Sequence, residues 1–447
     1  MVALHAALQN KALEHFALRD HLGAVSTLPA SPPVIDRPFP LREGELVALL
    51  AFTQALQALA IDAMLPGIGT IATDLHATDP NQRQYIVGVF LLGCGVGALV
   101  PGTLADRFGR RPILLASLAI YVIMALACAV VTEFNTMLLF RFIQAVGSGG
   151  LAVLPSAIIR DRFEGDKMAK LQSLIGVIFM IVPMIAPTLG QGVLWFAGWR
   201  WIFGLTAVLG TVVGVWIYLR LPETMHPEFR QKISLGTIGR NMATTLTTRA
   251  SIGYVIGSAL ILGAMWGYIQ SSQQLIGEHF GAGASFPLFF GGMAMFMAFA
   301  NFGNSRIVER FGARRVSHAA VFGFVAVAAL QLFLATRANQ TLWQFVPVMT
   351  LNMALMSFIG ANFAAIAIQP FARIAGSAAS VQAFLRMVTA SVLGSLIGQA
   401  YDGSAVPFAA SLLAAGLGCL GLILFSERGK LFRRVYPRGV VRPVADI

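Results

Sequence analysis

Of 447 residues, 12% are charged and 57% hydrophobic, about half the charge of a water-soluble domain, which excludes a soluble fold because too little polar surface exists to cover such a core. The net charge of +12 would fit a nucleic-acid binder, but the basic residues sit in short segments between apolar runs, so the charge reports membrane topology and no nucleic-acid partner is expected. Cys94, Cys128 and Cys419 each stand alone in an apolar run without CxxC or metal spacing, so neither a disulfide framework nor a metal site is expected.

Residues 1–43 form a polar N-terminal tail with the proline-rich stretch "PASPPVIDRPFP" and no apolar core of a signal peptide. Leu4, Leu8, Ala12 and Phe16 recur at i+4, a spacing that allows a short amphipathic surface helix; a tail without regular structure fits equally. His5, His15 and His21 fall here at no metal-ligand spacing. Apolar runs then predict twelve spanning helices: 46–71, 85–105, 112–131, 136–158, 170–195, 201–220, 252–272, 286–304, 316–335, 343–366, 377–399 and 405–425. Each is near the roughly 20 residues that a bilayer requires. The expected class is an all-α membrane protein. It divides into a six-helix half over 44–220, a polar central loop over 221–251, a second six-helix half over 252–425, and a basic tail over 426–447.

With both termini cytoplasmic, 27 of the 32 Lys and Arg fall inside. Only Arg83, Arg200 and Arg337 fall outside, and Arg141 and Arg386 lie within spans. This asymmetry sets the expected orientation. An internal repeat accompanies it: "ADRFGRRP" follows span two and "VERFGARRV" follows span eight, placing Asp106 and Glu309 at matching points of the halves. Two related halves are the plan of alternating-access carriers, which bind substrate between them near mid-membrane.

Four spans carry chemistry. In span one, "QALQALAIDAMLPG" places Asp62 as the carboxylate well inside a span. A carboxyl in low dielectric can exchange its proton near neutral pH, and it can also pair with a cation; it cannot comfortably do both, which is a mechanism for antiport. After span two, "GTLADRFGRRP" joins Gly102 for close helix approach, Asp106 for a neighbouring helix N-terminus, Gly109 for a positive-φ turn, and Arg107, Arg110 and Arg111 to pair with acids such as Asp161. Span four places Arg141 in "LLFRFIQAVGSGG", an intramembrane charge that is functional by default unless it reaches the surface. Span five interrupts its helix with Pro183 and Pro187 and thins one face with Gly190 and Gly192. Arg386 in span eleven is a candidate cavity charge, either a partner for Asp62 across the cavity or a residue in a snorkelling or structural role. Gln54, Gln57, Tyr268, Asn352 and Asn362 are candidate cavity walls.

The loop at 102–112 closely resembles the cytoplasmic signature of the major facilitator superfamily, and the resemblance covers about residues 45–425. It implies the major facilitator fold and a loop that latches the cytoplasmic side when the carrier faces outward. Arg141, Gln144 and Gly147 resemble the superfamily's span-four pattern, with Ala145 where glycine is usual. Pro187 and Gly190 resemble the span-five signature of drug exporters, with Ala186 and Gln191 replacing glycines. The span-one aspartate four residues before a proline, with "IIRDRF" and "GWRWIF", is most similar to the bicyclomycin/chloramphenicol-resistance branch of twelve-span drug/proton antiporters. The resemblance implies a carrier, not an enzyme. It would be a monomer of the bacterial inner membrane that exports small amphipathic molecules against a proton gradient without a cofactor, Asp62, Arg141 and Gln144 serving coupling and substrate. The alternative is a proton symporter or metabolite carrier on the same fold.

Overall fold

The computed structural model describes residues 40–433, apart from 164, 226–235, 237–242, 245 and 338. The expected tail helix, the tail histidines, most of the central loop and the end of the basic tail lie outside the described residues.

Twelve helices among the described residues are long and apolar enough to cross a membrane. We number them α1 (Glu43–Asp74), α2 (Tyr85–Phe108), α3 (Arg110–Val130), α4 (Phe134–Arg162), α5 (Gly165–Phe196) and α6 (Arg200–Arg220). The second half holds α7 (Arg249–Ser272), α8 (Phe286–Phe311), α9 (Ala313–Ala335), α10 (Leu342–Ile368), α11 (Ala375–Gln399) and α12 (Val406–Ser426). All twelve coincide with the apolar runs. Several extend beyond them: α8 ends at Phe311 rather than 304, and α4 at Arg162 rather than 158. Hydropathy marks the hydrocarbon thickness, whereas a helix continues until backbone chemistry stops it. Gly109 (φ 107°) stops α2 and Gly312 (φ 88°) stops α8, each turning directly into the next helix. These values lie where a side chain is strained, so glycine is required at both turns. Thr341 and Gln344 start α10 with a reciprocal capping box.

The same packing pairs recur six helices apart. α2–α4, α3–α4, α3–α6, α1–α5, α1–α6 and α1–α4 in the first half answer to α8–α10, α9–α10, α9–α12, α7–α11, α7–α12 and α7–α10 in the second. The halves meet through α2–α11 and α5–α8, which the same two-fold relation exchanges. Two six-helix bundles of related plan therefore enclose whatever lies between them. We call the end carrying the 107–111 turn the basic end, and the opposite one the far end.

Small residues set the spacing within the first bundle. A Cβ at Gly97 or Gly149 would overlap the other helix's backbone, and one at Gly150 would strike Ser117. These glycines lock α2 and α3 onto α4. Gly102 does not behave as expected: a Cβ there would meet only Val153 at an ordinary 3.7 Å. The close approach lies a turn or more deeper, where the helices cross.

Candidate functional site

A cavity of about 310 Å³ lies between the halves. The first half contributes α1, α2 and α5, and the second contributes α7, α8, α10 and α11. Five methionines (Met180, Met265, Met297, Met353 and Met387) line it with Phe179 and Phe290. Methionine is unbranched and polarizable, so such a wall adapts to ligands of differing shape. Polar groups are few: Gln57, Asp62, Trp266 and Asn301.

Asp62 owes its position to a break in α1. Pro66 has no N–H, and the carbonyl it would serve in a continuous helix, four residues back, is that of Asp62 itself. The first segment of α1 accordingly ends at Asp62, and a short 3₁₀ turn over Leu65–Gly67 leads into Ile68–Asp74. The side chain is 5% exposed and lines the cavity. Among the described residues it has no hydrogen-bond or ion-pair partner. An unpartnered carboxyl in an apolar cavity is a site for a proton or a cation.

Gly190 holds that break in place. A Cβ there would overlap the carbonyl oxygen of Ala63, the residue after Asp62, so only glycine lets α5 lie directly on the interruption of α1. Gly192 faces open space. Pro183 lines the cavity, and Pro187 is buried. α5 runs as one helix through both prolines, which leave the carbonyls of Phe179 and Pro183 without helical donors.

Arg141 is fully buried and does not reach the surface. Its Nη2 donates to the Ala60 carbonyl at 3.1 Å, Nη1 to Gln144 Oε1 at 2.8 Å, and Nε to the Ile86 carbonyl at 3.4 Å. Its guanidinium also lies over Phe90, 4.1 Å from the ring centroid. Ala60 is in the last turn before the break, where carbonyls lack helical donors and carry the negative end of the helix dipole. Arg141 therefore binds the backbone of span one, and Gln144 holds the guanidinium in place. Nearby, Gln57 donates to Cys94 Sγ, and Cys94 bonds Ser148.

At the basic end, Arg110 is the hub. Its Nε donates to Asp161 at 2.9 Å and its Nη1 to Asp106 at 2.5 Å. Asp106 thus pairs with Arg110 one turn on; this is its described bond, in place of the expected helix N-terminus. Glu223 accepts from the backbone N–H groups of Arg110 and Arg111, and its carboxylate fills the space where a Cβ of Gly109 would sit. Arg111 donates to the Tyr218 carbonyl, and exposed Arg107 lies over Phe108. All these bonds stay within the first half and the segment leaving α6.

Arg386 has no ion-pair partner among the described residues. Gln57 stands beside Cys94, and Gly95 packs on Val388. Asp62 lies five residues from Gln57 toward the far end, and Arg386 two from Val388 toward the basic end. At 1.5 Å per residue this offsets them by about 11 Å along the helices, and no ion pair joins them among the described residues. Of the candidate wall residues, Gln57 lines the cavity. Gln54 donates to the Ala152 carbonyl, Tyr268 to Met293 Sδ, and Asn362 to Asn304, while Asn352 is buried off the lining.

Sequence reasoning missed the far end. There Arg83 forms a two-pronged pair with Glu278 at 2.6 and 2.7 Å. Asn81 donates to the carbonyls of Gln399 and Tyr401, and Gln399 donates back to the Asn81 carbonyl. Gln84 and Gln274 meet beside them. Every one of these bonds joins the first half to the second. Glu278 sits in a π-helical turn, Gln273–His279, that extends α7. Clusters of Asn and Gln beside charges in two far-end loops were the available signal.

A sequence profile described as Major Facilitator Superfamily matches residues 50–395. A bicyclomycin resistance protein homolog of Haemophilus influenzae is 27% identical over 81% of this chain and 90% of its own length. Multidrug resistance protein MdtL of Klebsiella pneumoniae is 30% identical over 76% and 85%. Among solved structures, a D-xylose-proton symporter superposes with a TM-score of 0.68 over 87% of this chain and 99% of its own, at 15% identity. That likeness is one of fold.

Proposed function

The chain belongs to the Major Facilitator Superfamily, and from that premise we propose that it exports drugs or other small amphipathic molecules in exchange for protons. It is a multi-pass membrane transporter rather than an enzyme. The observation that carries the proposal is Asp62, an unpartnered carboxyl on a methionine-rich wall between the halves. The names of the Haemophilus and Klebsiella relatives support drugs as the cargo.

In the proposed cycle the basic end faces the cytoplasm, as the distribution of Lys and Arg favours, and the protein works as a monomer in the bacterial inner membrane. Substrate enters the cavity from that side as Asp62 gives up its proton. The halves rock, the far-end bonds part, and the turn at 102–112 takes up its latching role. A proton arriving on Asp62 then displaces the substrate outward. Arg141 and Gln144 act by fixing the broken backbone that presents Asp62, and Gly190 seats it against α5. Two competing occupants of one carboxyl give exchange without any cofactor.

Proteoliposomes with an imposed pH gradient test the reading with a cationic dye as substrate. Asp62→Asn is expected to abolish gradient-driven transport. Undiminished transport by that variant would overturn the role of Asp62. The direction of proton movement on substrate addition separates exchange from symport.

A further inference from the structure

A second cavity, of about 410 Å³, opens on the side of the second half near its basic end. Ile307 and Phe311 of α8 form one wall, Val316, Ala319 and Ala320 of α9 the other, and Leu355 and Phe358 of α10 the floor. Arg315 sits at its rim. We propose that this groove binds an anionic phospholipid, with an acyl chain against α8–α10 and its phosphate at Arg315 and Arg310.

Charge placement carries the argument. At about 100° per residue, Arg310 projects about 60° from Ile307 on the α8 surface, while Glu309 lies about 160° or more from the Ile307–Phe311 stripe. The acid of this turn therefore faces away from the groove, and a base borders it. Arg310 rests on Phe311 and has no carboxylate partner among the described residues. Arg315 spends its Nε on the Phe432 carbonyl, which fixes the side chain and leaves its terminal nitrogens for a ligand.

The first-half copy of the turn supplies the contrast. There Arg110 pairs with Asp106 and Asp161, and Arg111 donates to the Tyr218 carbonyl. In the second half Ala313 stands at the point matching Arg110, and Arg314, which matches Arg111, is the residue paired with Glu427 and Gln369. Arg310 and Arg315 have no carboxylate partner among the described residues, and both lie at the basic end, beside the turn between α8 and α9. Arginine clusters beside apolar grooves recognise anionic headgroups, whose phosphate accepts the guanidinium donors while the chains fill the groove.

The test reads lipid rather than transport, so it stands or falls independently of the cargo. The full-length carrier is placed in nanodiscs of mixed phosphatidylglycerol and phosphatidylethanolamine, and retained lipid is counted by native mass spectrometry. The wild type is expected to retain phosphatidylglycerol preferentially. R310Q/R315Q should weaken that retention by roughly tenfold or more. Ala319→Trp, which fills the groove and keeps the charges, should weaken it as well. Equal retention of the two lipids by the wild type would overturn the proposal. So would loss in the arginine variant with full retention in Ala319→Trp, which would reveal attraction to the surface without a seat in the groove.

Discussion

The two ends of this carrier hold themselves together in different ways. At the far end, Arg83–Glu278 and the Asn81–Gln399–Tyr401 bonds tie one half to the other. At the basic end, Arg110, Asp106, Asp161 and Glu223 bind one another on the same side of the cavity. Bonds within a half move with it as a rigid body and survive a rocking motion. Bonds between halves must break each time the cavity opens at that end. The first kind can therefore be strong and buried, as Arg110 is. The second kind suits a partly exposed pair whose strength water moderates, as Glu278 is, with nearly half of its side chain exposed.

Removing a buried within-half hub should have the largest effect. Arg110→Ala leaves Asp161 without its cation and should cost about 3 kcal/mol of stability, read as a lower unfolding midpoint. The distance between spin labels at 78 and 282, which spans the far end, should stay as in the wild type. A change there would break the division between the ends. Glu278→Gln should do the reverse, with little loss of stability. The exposed half of the pair limits the effect to about 1 kcal/mol, or roughly fivefold, in favour of far-end opening, seen as a longer 78–282 distance in a larger fraction of molecules. Asn81→Ala should shift the same distance distribution by a comparable amount, because it removes two inter-half hydrogen bonds that contribute about 1 kcal/mol or below each.

The smallest effect concerns acid. Burial alone would raise the Glu427 carboxyl, but the bonds it accepts from Tyr254 and Arg314 outweigh burial and hold it below its ordinary value. A depressed carboxyl contributes stability above its unfolded-state value of about 4.5 that is lost as pH falls through the folded one. The wild type should therefore lose stability on acidification below about pH 4.5, and Glu427→Gln should flatten that dependence. An identical acid profile in the variant would remove Glu427 from the within-half network.

Much of this was legible in the sequence, for identifiable reasons. Apolar length marks spans because a bilayer demands it, so all twelve helices were found and only their ends moved. Gly109 was legible because a tight turn between helices requires positive φ, and Asp62 because a carboxylate in an apolar span stands out. Pro66 also lay in plain view, and its missing N–H explains why α1 ends at Asp62. What could not be read depends on which helices touch. Gly190 stands out by its resemblance to the span-five signature, but its contact with Ala63 joins residues 127 apart in the chain and has no local sign. The five methionines of the cavity are ordinary apolar residues until packing turns them inward. The far-end bonds join loops about 190 or more residues apart, and Arg83 reads in sequence only as a rare outside charge. Arg386 lies near the middle of α11, but its place in its own helix carries no register against α1.

The central claim is that one carboxyl serves proton and substrate in turn. Proton release on substrate binding tests it most directly. The purified carrier in weakly buffered detergent near pH 7 is mixed with a cationic substrate, and the released protons are followed with a pH indicator. The account predicts release from the wild type and none from Asp62→Asn, with Arg386→Gln still releasing protons as the wild type does. Equal release from the wild type and Asp62→Asn would place the exchange on another group and contradict the account.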